Sequence, residues 1–218
     1  MIISPNMWYE LSKRGIDLIG SILLGIIFLP VAILTGIAIK LDSPGPVLAD
    51  TPRRVGTGGR LFRIYKFRSM IVNAHTKLRT DPKFAKLYAE YKKNSYKLKE
   101  DPRVTHVGKF IRKHSIDEIP QLLNVIRGEM SLVGPRPYYQ DELTQQQKKY
   151  PHTKQMVAVV LSAKPGITGY WQVSGRSEVN FDKRIKMDAD YVSKRSILFD
   201  LAILVKSPWA MISGKGAV

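Results

Sequence analysis

The chain has 218 residues and a mass of 24.7 kDa, enough for one domain with a sizeable core and too little for a large multidomain assembly. Its 35 Lys and Arg residues against 18 Asp and Glu residues leave a net charge of +17, so its partners are expected to be anionic. The absence of Cys excludes disulfide scaffolds, thiolate metal sites and Cys nucleophiles.

Residues 16–39 form an apolar run that carries one charge, Asp17. As a helix this run would be about 36 Å long, enough to reach through a bilayer. A cleaved signal peptide is excluded because the run is too long and no small-residue cleavage site follows it. Pro30 removes a backbone donor and predicts a break that separates residues 18–29 from residues 31–39.

Cations flank the apolar run on both sides, with Lys13 and Arg14 before it and Lys40 and several arginines after it. Because positive flanks favour the cytoplasmic face, both ends are predicted on the same side of the membrane. A kinked helical hairpin that enters and leaves one leaflet satisfies this pattern and the proline. An ordinary tilted span with a tolerated proline is an equal alternative.

The charge excess is concentrated in residues 51–115, which hold 18 Lys and Arg residues and 4 Asp and Glu residues. The anionic partner is therefore expected at this stretch. A β-hairpin is predicted from Val47 onward, with its turn at residues 56–59 and its second strand at 61–67. Helical patterns are present within residues 73–100, 119–126, 143–161, 182–193 and 197–212. The last helix suits a membrane interface or a buried core equally.

A pair of carboxylates, Asp117 and Glu118, precedes Pro120, and proline is favoured at the first position of a helix. Both carboxylates are therefore predicted to lie ionised at a helix N-terminus. Ser115 and Glu118 also have the spacing of a capping box, which is a purely structural alternative. The basic residues on both sides of the pair favour a metal-bound phosphate instead.

Four cations are candidate phosphate ligands. Arg136 lies between two prolines that stiffen its backbone, and its planar guanidinium suits a bidentate anion. Arg112 precedes the carboxylates, and Lys66 and Arg68 close the second predicted hairpin strand. Each of these four residues also fits an ordinary exposed or structural role.

Two turn-rich loops, residues 164–169 and 175–177, flank Tyr170 and Trp171 and suit a nucleotide base and ribose. The two aromatic residues equally suit a core. The four His residues lack the spacing of metal ligands and are interpreted as structural or surface residues.

Four ordered motifs cover most of the chain. They are KFRSM at 66–70, SIDEIPQL at 115–122, MSLVGPRP at 130–137, and KPGITG at 164–169 with residues 172–176 after it. Together they resemble the bacterial sugar transferases that act as monotopic polyprenyl-phosphate phosphoglycosyl transferases. The chain departs from that family at Leu29, where a serine often precedes the membrane proline, and at residues 49–52, where aromatic and glutamine positions are usual.

The predicted elements and the resemblance together imply an α+β fold. Residues 1–42 would form an N-terminal kinked re-entrant membrane helix, broken at Pro30. Residues 43–218 would form a mostly helical cytosolic domain with a small β-hairpin and interfacial amphipathic helices. The resemblance places this minimal catalytic unit at the bacterial inner membrane, among lipids of the cytoplasmic leaflet.

The resemblance implies an enzyme that uses Mg²⁺ to transfer a phospho-sugar from a UDP-sugar to polyprenyl phosphate, releasing UMP and starting a surface glycan. Asp117 would be the nucleophile and a metal ligand, with Glu118 as metal ligand, orienting group or base. Arg112 and Arg136 would hold the diphosphate, and Arg176 would lie toward the nucleotide.

A membrane-tethered nucleic-acid-binding module is the alternative function, with the basic stretch as its binding surface. A structural membrane adaptor would explain the anchor and the charge but not the four motifs. No nucleic acid is expected as a partner, because such a module has no need of paired carboxylates among arginines. The sequence leaves open the sugar, the glycan pathway and the oligomeric state, a homodimer included.

Overall fold

The computed structural model describes residues 5–93, 98, 100–174 and 180–212, and it is mostly helical. The α-helices are α1 Pro5–Ile27, α2 Leu29–Asp42, α3 Ala74–Thr80, α4 Ala85–Lys93, α5 His106–Lys113, α6 Leu122–Ile126, α7 Gln140–Lys149, α8 Lys154–Leu161, α9 Tyr170–Ser174, α10 Phe181–Lys194 and α11 Ile197–Ile212. Short 3₁₀ helices cover Thr57–Gly59, Pro82–Phe84, Ile116–Gln121 and Pro151–Thr153. The strands are β1 Arg54–Val55, β2 Leu61–Phe62, β3 Ser131–Val133 and β4 Gly166–Thr168. The predicted α+β class is confirmed.

The N-terminal helices α1 and α2 meet at Phe28 with a bend of 59°. The predicted break at Pro30 is thus displaced by two residues, because Pro30 lies in the first turn of α2, where its missing N–H is not needed. The proline ring and the lost donor act on the preceding turn, so the first helix ends upstream of the proline. Among the described residues no single helix is long and apolar enough to cross a bilayer, although the bent pair together meets the test of length and composition.

Polar side chains of α1 attach this helix to the rest of the protein. The buried Asp17 carboxylate accepts hydrogen bonds from Ser131 Oγ and the Leu132 N–H, both at 3.0 Å. Arg14 donates to two carbonyls at the end of α6, at 2.6 and 2.8 Å. Helix α1 therefore packs directly on β3 and α6, while the division into two domains at residue 42 stays a prediction.

The predicted β-hairpin is present but shorter than expected. Strands β1 and β2 pair antiparallel around a turn in which Gly58 and Gly59 have φ values of 66° and 80°. Beyond β2 the chain changes partner, since Ala49 N–H donates to the Lys66 carbonyl and Arg68 N–H donates to the Val47 carbonyl. This change of partner ends the regular ladder before the predicted end at residue 67.

A second sheet was not predicted. Strands β3 and β4 pair parallel, so the segment 164–169, interpreted above as a nucleotide-binding loop, contains a strand instead. Gly134 and Gly166 permit the close approach, because a Cβ on Gly134 would lie 2.4 Å from the Lys164 carbonyl oxygen and one on Gly166 would lie 2.1 Å from the Gly134 nitrogen. Strands of three residues are too short to show an alternating pattern.

Helix α11 confirms the core alternative offered for residues 197–212 on one of its faces, while the membrane interface stays a prediction. Ile203 is 1% exposed within the main apolar core, alongside buried residues of α6, β3 and α10. Leu198, Val205 and Trp209 are 77–80% exposed on the opposite face. The helix is therefore packed on one side and presents large apolar side chains on the other.

Candidate active site

Three charged side chains form the centre of the candidate site. Lys66 Nζ lies 2.6 Å from Glu118 Oε1 and 3.4 Å from Asp117 Oδ2. The neighbouring Phe67 N–H donates to the Asp117 carbonyl at 2.9 Å, so the backbone of the 66–68 segment also holds the carboxylate pair. This cluster of Lys66, Asp117 and Glu118 is called the dyad cluster below.

The backbone before the carboxylates has a conformation that rules out the capping box. Ser115 lies in the left-handed region at φ 55°, and its side chain accepts no cap hydrogen bond. Glu118 pairs with Lys66 instead of returning to the Ser115 backbone. Pro120 lies inside the 3₁₀ helix and not at a first helical position, which corrects the predicted helix start. Asp117 and Glu118 do lie in the first turn of a helix, as predicted, but it is the 3₁₀ helix Ile116–Gln121.

Burial and the neighbouring charges shift the pKa values of the two carboxylates in opposite directions. Burial, reinforced by the Glu118 charge, raises the pKa of Asp117 despite the opposing charge of Lys66. Burial also acts to raise the pKa of Glu118, but its tight pair with Lys66 outweighs this effect and lowers that pKa. Two carboxylates with opposite shifts are typical of residues with different chemical roles.

The dyad cluster lines a pocket of about 340 Å³ that also contains Arg112 and Arg136. Arg136 lies between Pro135 and Pro137, as predicted, and its Cζ is 5.2 Å from the centre of the Trp171 ring. Burial, together with the charge of Arg184, lowers the pKa of Arg136. The pocket thus places two carboxylates opposite several cations, an arrangement suited to a phosphate group with an associated divalent cation.

The two cations of the 66–68 segment have different roles. Lys66 pairs with both carboxylates, where burial alone would lower its pKa but the two negative charges raise it. Arg68 is 4% exposed and its guanidinium donates to four backbone carbonyls between residues 39 and 46. Its donors are thus largely occupied, which favours a structural role for Arg68 over the predicted phosphate contact.

The structure describes only part of the segment that was predicted to bind a nucleotide. The predicted ligand Arg176, with residues 175–179, lies outside the described residues. Trp171 is buried and Gln172 is half-buried, and both line the pocket. The aromatic residue therefore belongs to the core and to the pocket wall at the same time.

The pocket lining includes Arg54, His75 and Tyr139, which were not predicted as site residues. Arg54 lies buried with its Cζ 3.3 Å from the centre of the Tyr139 ring. His75 also lines the pocket, with its ring centre 6.4 Å from that of Tyr139, and burial followed by the charge of Arg54 lowers its pKa to about 4. Arg54 and His75 belong to segments that carry no motif, so only their approach in space could identify them.

Behind Arg136, a buried carboxylate of α10 holds the segment that carries it. Asp188 Oδ2 accepts hydrogen bonds from the Arg136 N–H at 3.1 Å and from the Tyr138 hydroxyl at 2.8 Å. Its other oxygen, Oδ1, is buried without a hydrogen-bond partner among the described residues. Burial is the main cause that raises the pKa of Asp188 to about 7, against the lowering effect of these hydrogen bonds and of the Arg184 charge.

The raised pKa of Asp188 predicts a specific pH dependence of stability. Between about pH 4 and pH 7 the folded protein keeps a proton that the unfolded chain releases, so this group reduces stability as the pH rises, by at most about 1.4 kcal/mol per pH unit. Asp188→Asn removes the titration but keeps an acceptor oxygen. Its melting temperature relative to wild type should therefore increase from pH 5 to pH 8 in thermal unfolding.

The matched control for this prediction is Asp190→Asn on the same helix, at a half-buried position. Its melting temperature should follow wild type across the same pH range. Parallel curves for Asp188→Asn and wild type would contradict the assignment of the titration to Asp188.

Comparisons with known proteins find similar sequences along almost the whole chain. The profile of the family described as bacterial sugar transferase matches residues 8–214. The undecaprenyl-phosphate galactose phosphotransferase of Salmonella typhimurium is 44% identical over 209 residues, covering 94% of this chain and 41% of that protein. The exopolysaccharide production protein ExoY of Sinorhizobium fredii is 39% identical over 207 residues, covering 95% of this chain and 88% of that protein.

The name of a further relative includes a nucleotide sugar. It is the UDP-N-acetylgalactosamine-undecaprenyl-phosphate N-acetylgalactosaminephosphotransferase of Aeromonas hydrophila, which is 38% identical over 216 residues, covering 98% of this chain and 46% of that protein. The chain spans about two-fifths of the length of the first curated relatives that it matches.

Proposed function

The chain belongs to the bacterial sugar transferase family, and we propose that it transfers a sugar phosphate from a UDP-sugar to polyprenyl phosphate, releasing UMP. The observation that carries this proposal is the dyad cluster in a pocket lined by arginines. The names of the relatives support undecaprenyl phosphate as the acceptor, and the name of the Aeromonas hydrophila relative supports a UDP-sugar as the donor. The product would be a polyprenyl-diphosphate-sugar.

Two displacements would account for the transfer. An Asp117 carboxylate oxygen attacks the phosphorus next to the sugar, and the bond from that phosphorus to UMP breaks as UMP leaves with the electron pair. An oxygen of polyprenyl phosphate then attacks the same phosphorus, and the bond to Asp117 breaks, which restores the carboxylate. Dividing the reaction in this way lets the pocket accommodate one anionic substrate at a time.

The pairing of Lys66 supports this division of roles. Glu118 is the closer partner of Lys66, at 2.6 Å, whereas the Asp117 oxygen lies at 3.4 Å. The more weakly paired carboxylate is the better nucleophile, since a tight ion pair would have to break before attack. Glu118 then holds the ammonium of Lys66 beside the reacting group. Arg112 and Arg136 would bind the diphosphate oxygens.

The carboxylate pair also fits the proposed Mg²⁺. Within the described part of the chain, no group of three His, Cys, Asp or Glu residues could hold a metal ion. Mg²⁺ is commonly bound by one or two carboxylates together with substrate phosphates and water, so Asp117, with Glu118 beside it, is a sufficient protein contribution. Mg²⁺ held there would offset the charge of the diphosphate.

The direct test combines the full chain, reconstituted in liposomes, with undecaprenyl phosphate and a panel of UDP-sugars. Release of UMP with one or a few of these donors is expected, and the preferred donor identifies the sugar. No UMP release with any donor, together with strong salt-sensitive binding to DNA, would instead favour the nucleic-acid-binding alternative.

We also propose that α1 and α2 enter and leave the cytoplasmic leaflet as a kinked pair. Large apolar side chains of both helices face outward, and Ile19, Ile26, Ile33 and Leu34 are each more than half exposed. The 59° bend and the cations on both flanks favour a return to the same side. The exposed face of α11 would lie at the same interface.

Cysteine labelling tests this topology, and the natural absence of Cys makes each introduced residue the sole reporter. Asn6→Cys and Arg60→Cys should both react with an impermeant maleimide from the cytoplasmic side of inverted vesicles. Both should be protected in right-side-out vesicles. Labelling from opposite faces would establish a spanning helix and contradict the re-entrant topology.

A further inference from the structure

Arg68 joins the end of the proposed membrane-anchoring helix pair to the segment that carries Lys66. Its Nε donates to the Pro46 carbonyl at 2.7 Å, and its Nη1 donates to the Pro44 carbonyl at 2.8 Å. Its Nη2 donates to the carbonyls of Ser43 at 2.7 Å and Ile39 at 3.5 Å. The guanidinium thus binds the last turn of α2 and the chain that leaves it, at a helix C-terminus, where a cation is favoured.

The same segment binds the carboxylate pair on its other side. Lys66 is paired with Asp117 and Glu118, and the Phe67 N–H donates to the Asp117 carbonyl. Three consecutive residues therefore connect the exit of α2 to the dyad cluster. A change in where Arg68 holds α2 is transmitted to Asp117 through only two residues of backbone.

Apolar packing and one glycine reinforce this connection. Ile39 of α2, Phe67 and Ile111 of α5 form a buried cluster, with Ile116 and Ile119 beside the carboxylates packed against it. Gly45 has φ +125°, and a Cβ there would lie 3.2 Å from Arg68 Nη1 and 2.6 Å from a Val72 methyl carbon. The loop after α2 is thus shaped closely around the Arg68 guanidinium.

We propose that Arg68 is a positioning residue that sets where the dyad cluster sits relative to the α1–α2 anchor, and so whether Asp117 meets an acceptor held in the bilayer. The inference rests on the proposed function. The UDP-sugar arrives from solution and can adjust its approach, whereas the phosphate of a polyprenyl lipid is confined near the membrane surface. Loosening the Arg68 contacts should therefore impair the second displacement much more than the first.

The test measures the two displacements separately with Arg68→Lys in liposomes. Lysine keeps the charge but has a single nitrogen, which cannot reach carbonyls spread from residue 39 to residue 46. The rate of UMP release without acceptor should stay within about threefold of wild type. The rate at which the phospho-sugar adduct is consumed by undecaprenyl phosphate should fall by about tenfold or more, since displacements of about 1 Å can cost that much.

A short-chain, water-soluble polyprenyl phosphate distinguishes a positioning role of Arg68 from a purely structural one. In detergent, this acceptor is free to approach, and the Arg68→Lys variant should consume the adduct nearly as fast as wild type. Gly45→Ala, which keeps the Arg68 side chain but crowds its guanidinium and the loop around it, should show the same difference between acceptors. The exposed Arg53→Lys is the matched control and should behave as wild type.

Equal losses in both displacements, or an equal loss with the soluble acceptor, would overturn this inference and reduce Arg68 to a general stabilising residue. Thermal unfolding of each variant shows whether a loss follows from unfolding, and the comparison of acceptors within one variant is independent of the amount folded. A wild-type protein that forms no adduct would count against the proposed function and the inference together.

Discussion

Asp117→Asn is expected to abolish the phospho-sugar adduct and to reduce UMP release by at least about 10³-fold, because the amide has no anionic oxygen to attack phosphorus. Intact-protein mass spectrometry after mixing with the preferred UDP-sugar, without lipid acceptor, measures the adduct directly. Wild type should gain the mass of the phospho-sugar and release one equivalent of UMP.

The fold should tolerate this substitution. Asp117 is 7% exposed, and burial raises its pKa, so the folded protein disfavours its charge. A neutral side chain of the same shape should leave the melting temperature equal to that of wild type or higher. The Phe67 N–H bond to the Asp117 backbone is unaffected by the change. A loss of activity would therefore not follow from unfolding.

Glu118→Gln is the informative companion variant. It removes the closer partner of Lys66 while leaving Asp117 in place, so the adduct should still form but more slowly. An adduct that persists in Asp117→Asn and disappears in Glu118→Gln would assign the nucleophile to Glu118. Full activity in both variants would leave the carboxylate pair with a structural role only.

Arg136→Lys is expected to lower kcat/KM for the UDP-sugar by about 10- to 100-fold, because a lysine keeps the charge but loses the planar fork that binds two phosphate oxygens. The backbone at this position is held by Pro135, Pro137 and the hydrogen bond from the residue 136 N–H to Asp188, so the lysine side chain would start from the same place. The measurement is initial-rate kinetics of UMP release. Membrane association, measured by flotation, should not change.

Arg63→Lys is the control for this prediction, since Arg63 is exposed and lies outside the pocket lining. It tests whether any arginine-to-lysine change in this basic chain affects turnover. Wild-type rates for Arg136→Lys would contradict the specific phosphate role and leave the arginines as general attractors of anions.

The sequence by itself determined the features that depend on neighbouring residues. These local patterns are the carboxylate pair, Arg136 with the two prolines that flank it, the glycine turn of the hairpin and the break near Pro30. The structure places the first two in one pocket and confirms the turn and the break. The break moved to Phe28 because a proline acts on the turn before it, an effect that the run of apolar residues does not reveal.

Only the tertiary structure decided which distant groups meet. The partner of Glu118 is Lys66, 52 residues away, and Arg68 two residues further turns to the end of α2 instead of the pocket. The parallel pairing of β3 with β4 and the bond from Asp188 to the Arg136 backbone likewise join distant segments. Such contacts depend on how helices and short strands pack around the core, because no local periodicity specifies which cation binds phosphate and which one binds backbone carbonyls.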